Sequence, residues 1–331
     1  MTTPLYVGID IANETFDACL NGQVRQWKNT SAGIAAFIKS LPSNAYCVME
    51  ATGTYSSRLS EALVVASIAV SVVNPLVIKR FGQMKQRRAK TDHADAKLIT
   101  LYAQQQADDL RPFLAMNEDE NAMAQEQSVR HQLKEQQTAI KNQIHALKQR
   151  PRPSKAALAA LETLLETTKQ AIKDLDKEIE LHAKRTAAET YEVLLSIPGI
   201  GPVAAAALIT ATRSFERFDR APQFAAFIGI CPTIVESGSS VRPRAAMSKM
   251  GSAYLRSVLF MAASVAMRCN DACMVLAKRL KERGKAHKQI CIAVINKLLK
   301  QVFALVKSGQ HFVKGYTPAV PANAPKIILA W

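Results

Sequence analysis

The sequence predicts an α/β N-terminal domain followed by a mainly α remainder. Three short apolar runs separated by turn signals open the chain, and helix and strand patterns alternate after them as far as Pro75. From about Asn121 onward helical periodicity takes over. At 331 residues the chain is about twice the usual size of one domain, so more than one folded unit is expected.

The first run, Leu5 to Asp10, is a strand, and Thr15 to Leu20 and Gln23 to Trp27 pair with it as a meander closed by the turn dipeptide Asn21-Gly22. A helix over Ser31 to Leu41 follows, then a buried strand Tyr46 to Met49, a helix Tyr55 to Ala66 and a strand Ala69 to Val73 that stops at Asn74-Pro75. Three hairpin strands and then alternating helix and strand is the element order of an RNase H-like fold.

Beyond Asn121, Val129, Leu133, Ile140, Ile144 and Leu147 lie on one helical stripe. After the breaker Pro151-Arg152-Pro153 a second stripe, Leu161, Leu165, Thr168, Ile172, Leu175 and Ile179, steps by four and three as a coiled-coil seam does. Two such helices suggest an antiparallel hairpin arm, or a pairing between subunits. The expected divisions are 1–115, an arm over 116–192, a mainly helical region over 193–315 and an extended, proline-containing tail over 316–331.

Lys and Arg together number 43 against 27 Asp and Glu, a net charge of +16, which favours a polyanionic partner. The N-terminus lacks a secretory pattern, and the longest apolar run, Ala62 to Val73, is too short to span a bilayer, so a cytosolic nucleic-acid partner and no membrane are expected. Six cysteines without a CxxC pair read as reduced thiols. Cys269, Cys273, His287 and Cys291 have a spacing that two helices could turn into a zinc site, or that helix crossings use as packing.

Asp10 and Glu50 each end an apolar strand, where a carboxylate is costly unless a cation or donors compensate it. Asp92 and Asp95, three apart at a helix start, project onto one face and could complete a cluster, although Asp92 could equally be an N-cap. An all-oxygen set of this kind suits Mg²⁺ or Mn²⁺, which orients a phosphodiester and activates the attacking oxygen. The cation run that includes Arg87, Arg88 and Lys90 leads directly into it.

In the second half, Gly199 and Gly201 of Pro198-Gly199-Ile200-Gly201 precede an alanine-rich helix. They would let a phosphate approach the helix amides, or serve only as a tight turn. Ser237 lies in the loop Glu236 to Ser240, followed by Arg242, Arg244, Lys249 and Arg256 with no acid between them. The residues alone leave a phosphate-binding loop, a connecting loop and a nucleophile open. Lys278 to Lys288 adds a basic helical surface.

As an ordered set these motifs resemble the DEDD transposases of the insertion-sequence family one-hundred-and-ten and the Piv DNA invertases. The matching stretches are Gly8-Ile9-Asp10, Glu50 to Tyr55, Asn74-Pro75, Lys90 to Ala96, Pro198 to Gly201, Gly229 to Pro232, Ser237-Gly238, and Ser248 to Gly251 leading to Leu255-Arg256. The resemblance implies a RuvC-like domain with the tetrad Asp10, Glu50, Asp92 and Asp95, and a C-terminal transposase domain with Ser237 as nucleophile. It also implies a structured noncoding guide, the bridge RNA, that pairs with donor and target DNA, and dimers that assemble into a synaptic tetramer. Asn13 departs from the family, in which many members carry a lysine there. Two alternatives compete with a recombinase: a RuvC-like junction nuclease using activated water, and a non-catalytic nucleic-acid-binding assembly factor.

Overall fold

The structure, a computed structural model, describes residues 4–53, 55–85, 92–213, 215, 218–233, 246–248 and 250–315. It divides into two compact units, Met1–Met116 and Asn117–Trp331.

In the first unit the elements run β1 (Leu5–Ile11), β2 (Thr15–Leu20), β3 (Gln23–Lys28), α1 (Ser31–Ser40), β4 (Ala45–Glu50), α2 (Tyr55–Val65), β5 (Ala69–Val73), α3 (Pro75–Met84) and α4 (Asp92–Gln105). The sheet is mixed, in the order β3-β2-β1-β4-β5. β2 is antiparallel to β1 and β3, while β1, β4 and β5 are parallel, so β1 lies at the centre.

Strand alternation gives the sheet two apolar faces. Val7, Ile9, Phe16, Cys47 and Met49 pack with Ile34 and Phe37 of α1 and Leu59 and Leu63 of α2. On the opposite face Val48 joins Ile78 and Phe81 of α3 and Leu98, Ile99 and Tyr102 of α4. The residues between, Gly8 on β1 and Val48 on β4, are paired in register. Gly8 is where α4 touches the sheet: its N–H donates to Thr100 Oγ1 at 2.9 Å, and that hydroxyl donates to Ala96 O at 3.0 Å.

Asn74-Pro75 is a start as well as a stop. Asn74 accepts from Leu76 N at 2.9 Å and caps α3, with Pro75 in the first turn, where its missing N–H costs nothing.

The second unit contains α5 (Glu118–Lys148), α6 (Lys155–Ser196), α7 (Pro202–Thr212), α8 (Ala221–Ile228), the short strands β6 (Pro232–Thr233) and β7 (Ala246–Met247), α9 (Ala253–Cys269), α10 (Asp271–Glu282) and α11 (His287–Ser308). α5 and α6 run antiparallel, as three pairs show. His182 Nδ1 meets Asp119 at 2.7 Å, Arg130 meets Asp176, and Lys148 meets Glu162 at 3.1 Å. α6 is interrupted at Ala187 (φ −156°, ψ 60°).

The α6 stripe packs as expected, with Thr168, Ile172 and Ile179 buried. The α5 stripe packs at Ile140 and Ile144, which are buried, but not at its start: Val129 is 48% exposed, and Met123, Gln127 and Gln137 take buried positions as well. Gln127 satisfies its amide by donating to Thr210 Oγ1 at 2.9 Å, which lets a polar residue occupy the seam.

α7 is the centre of this unit, with Ala204 to Ile209 all buried. α11 is long and apolar enough to cross a membrane, but its buried stripe, Ile290, Val294, Ile295, Leu298 and Val302, belongs to the core around α7.

A Cβ added at Gly8 would lie 2.3 Å from Thr100 N and 2.5 Å from Ala96 O, both backbone atoms of α4 that cannot turn away. Gly8→Ala is therefore expected to cost about 1–3 kcal/mol or more, read as a lower urea midpoint. Gly82→Ala, whose methyl would meet only Leu98 Cδ2 at 3.1 Å, should cost less.

Candidate active site

The acids of the first unit are arranged by pairing register. β1 and β4 pair in parallel through Ile9 and Met49, so Asp10 and Glu50 stand one step further along the same pair of strands. Side chains in register on neighbouring strands share a face, and this face is the one α4 covers. Both acids lie within their strands: β1 continues one residue past Asp10, to a buried Ile11, and Glu50 is the last residue of β4.

Asp95 lies on α4, immediately before the Ala96 that touches Gly8, and Asp10 is two residues, about 7 Å, along β1 from Gly8. Asp92 is the first residue of α4, and its side chain lies outside the described residues.

Residue spacing gives no hint of a further acid, Asp17 on β2. It is paired directly with Asp10 and is 3% exposed. Carboxylates opposite each other on antiparallel strands repel unless positive charge or donated hydrogen bonds offset them. The alternation of Thr15, Asp17 and Cys19 against Phe16 and Ala18 is the signal that places Asp17 on the α4 face.

A hard divalent cation fits this donor set, which is all carboxylate oxygen on one sheet face. Among the described residues no three metal-ligating side chains close into a ready cage. Mg²⁺ does not demand one, because it retains waters and takes one or two carboxylates together with substrate phosphates.

In the second unit the two glycines of the motif separate. Gly199 (φ +106°) faces α9, and a Cβ there would lie 2.6 Å from Ala266 Cβ, so this glycine serves helix packing. Gly201 has nothing within 4 Å of that position and caps α7 ahead of Pro202. It borders an open groove of about 790 Å³ lined also by Arg130, His131, Lys134, Tyr254 and Arg256.

Ser237, Arg242, Arg244 and Lys249 lie outside the described residues, as do Arg87, Arg88 and Lys90 and the 316–331 tail. The two chain segments that lead to and from Ser237 are described, and they come together. β6 pairs with β7, Ser248 N donates to Cys231 O at 3.0 Å, and the Gly251 Cα faces Phe227 O so closely that a Cβ would lie 2.4 Å from it. Arg256 Nη1 donates to Ile228 O at 3.0 Å and to Gly251 O at 2.9 Å. Part of this guanidinium is thus committed to joining the two ends of the serine segment.

The cysteine grouping does not form a zinc site. His287 and Cys291 approach to 3.7 Å, but Cys269 is exposed and donates to Val265 O, and no metal-holding group of three occurs among the described residues. One turn of helix spaces these residues for packing, and Cys273 and Cys291 are buried.

Two family models match the chain. One, a DEDD transposase model of the IS110 type, matches residues 7–150, and the other, "Transposase IS116/IS110/IS902 family", matches residues 191–276. The chain is 29% identical over 325 residues to the "Pilin gene-inverting protein" of Moraxella bovis, covering 93% of this chain and 98% of that protein. It is 30% identical over 160 residues to a "Probable family 20 transposase" of Pseudomonas aeruginosa, covering 47% of this chain and 46% of that protein. It is also 30% identical over 162 residues to the "Transposase for insertion sequence element IS1111A" of Coxiella burnetii, with 48% and 43% covered.

Burial holds the Cys47 thiol up at about 12 and the Cys273 thiol up at about 11, so both stay protonated and unreactive at pH 8. Brief alkylation of the native chain at pH 8 should modify Cys269 and spare Cys47 and Cys273 until the chain is unfolded, as peptide mass spectrometry would read. Equal labelling of Cys47 and Cys269 in the native chain would contradict this packing.

Proposed function

The chain belongs to the IS110-type DEDD transposases and is a DNA transposase or recombinase, and on that premise we propose how it cuts and rejoins donor and target DNA. Asp10, Glu50, Asp92 and Asp95 hold Mg²⁺ or Mn²⁺, Ser237 is the nucleophile, and a structured bridge RNA selects both DNA sites. The observation that carries this reading is the shared face and register of Asp10 and Glu50, beneath the helix that Asp92 begins.

The sheet order, with β2 alone running against its neighbours, supports an RNase H-like, RuvC-like reading of the first unit. The antiparallel α5 and α6 support a coiled-coil arm through which dimers assemble into a synaptic tetramer. Base pairing by the guide leaves the protein to bind backbone and shape, which the net charge of +16 favours. Such work places the protein in the bacterial cytosol, at the nucleoid.

A divalent ion held by the acids would polarise and orient a phosphodiester. Ser237 Oγ attacks the scissile phosphorus. An Oγ–P bond forms, one P–O bond to deoxyribose breaks, the departing strand takes up a proton as a free hydroxyl, and the serine proton passes to solvent. Attack by another strand's hydroxyl on the phosphoserine reverses these changes and joins the new pair of strands. Arg87, Arg88, Lys90, Arg242, Arg244 and Lys249 neutralise the flanking phosphates, and the open side of Gly201 faces the groove in which backbone could lie.

Ser237→Ala is expected to abolish the denaturation-resistant protein–DNA adduct and recombination while DNA binding persists. Strand cleavage that continues without an adduct would instead indicate activated water, as in a junction nuclease. Asp10→Asn and Glu50→Gln should each slow cleavage by about two to three orders of magnitude, and full activity in both would leave only the assembly-factor reading. A discrete RNA should co-purify with the chain, and recombination that survives its removal would refute guidance.

A further inference from the structure

We propose that Asn29 is a positioning residue, setting the spacing of the two acid-bearing strand ends and through it the affinity of Asp10 and Glu50 for their divalent ion. The inference rests on reading those acids as metal ligands, and it concerns a residue that no motif singles out.

Asn29 follows β3 directly and is 8% exposed. Its Nδ2 donates to Ala12 O at 3.1 Å and, over a longer 3.5 Å, to Tyr55 O. Ala12 is two residues beyond Asp10 on the chain leaving β1, and Tyr55 is five beyond Glu50 at the start of α2. One amide therefore joins the segments that leave both acidic strand ends.

The orientation of that amide is settled by chemistry. Turned over, it would set Oδ1 against two carbonyl oxygens, neither of which can donate. Its backbone is fixed as well: Asn29 N donates to Glu14 O at 2.8 Å, and Asn29 O accepts from Arg58 Nη1 at 3.3 Å. Asn29 is thus tied to the β1–β2 turn and to α2 by both its main chain and its side chain.

Among the described residues Asn29 Oδ1 is buried without a hydrogen-bond partner, and so is Thr52 Oγ1, two residues after Glu50. An unsatisfied buried acceptor weakens a fold, and the bonds donated by Nδ2 must offset that cost. What the amide provides, and an apolar residue cannot, is the pair of bonds across the two segments. Carboxylates that bind a cation are sensitive to the groups that hold them in place, and losing such a group typically weakens metal affinity by about 10–100-fold.

The test is Mn²⁺ binding to the full chain without DNA, followed by electron paramagnetic resonance of the free ion. Wild type, Asn29→Ala, Arg58→Gln, Asp10→Asn and Glu50→Gln are compared. Asn29→Ala should weaken Mn²⁺ binding about 10-fold, with DNA affinity in EDTA within about two-fold of wild type. Arg58→Gln, which removes the bond to the Asn29 carbonyl, should weaken it less and in the same direction. A folded Asn29→Ala chain that keeps wild-type Mn²⁺ affinity while Asp10→Asn loses it overturns the role of Asn29 alone. If Asn29→Ala does not fold, unchanged affinity in Arg58→Gln overturns it. Wild-type affinity in both Asp10→Asn and Glu50→Gln removes the metal reading itself, and the proposal with it.

Discussion

The first unit depends on the absence of a side chain at Gly8. Helices normally stand off a sheet by the depth of the side chains between them, but here the backbone of α4 comes down onto β1, and the Gly8 N–H bonds directly to Thr100. β1 is the central strand, so a helix fixed to it at one point is fixed relative to the whole sheet. The first turn of α4, which bears Asp92 and Asp95, and the strand bearing Asp10 therefore belong to one rigid body. The aromatic contacts of Phe16, Trp27 and Phe37 on the far face hold the sheet against α1, away from the acids.

The second unit solves a similar problem with alanine. The buried alanines of α7 let neighbouring helices approach closely, and Gly199 lets the turn ahead of α7 lie against Ala266. Asn270, fully buried, fastens that turn to the rest: it caps α10, donates to Pro198 O at 3.3 Å and donates to Gln301 Oε1 at 2.9 Å on α11. Gly229, Gly251 and Arg256 then close the base of the serine segment on this framework. Glycines at close approaches and a guanidinium on carbonyls both fix backbone directly, where long side chains would leave play.

Much of the first unit was legible because its strands are short apolar runs between strong turn signals, with Glu50 at the end of β4 and Asp10 one residue short of the end of β1. Convergence of Asp10 and Glu50 was not legible in the same way, since it depends on which strands pair and in what register. Asn29 was invisible for a related reason: an asparagine after a strand reads as a turn residue, and its two acceptors are remote in sequence. In α5 the apolar pattern pointed to Val129, whereas Gln127 is buried, because an amide that finds a partner can be buried at little cost. The spacing of Cys269, Cys273, His287 and Cys291 was ambiguous by nature, because one helical turn serves a metal site and a packing seam equally well.

The register between β1 and β4 has a consequence for how such a chain can change length. Side chains alternate strictly along a strand, so gaining or losing one residue inside β4 would turn Glu50 to the α1 and α2 face and carry Cys47 and Met49 out of their core. The segment between α1 and β4, Leu41 to Asn44, escapes that constraint, since extra residues there lengthen a connection without altering the pairing. Length variation that preserves the acids should therefore collect in the connections and avoid the two parallel strands, whatever happens to sequence identity around them.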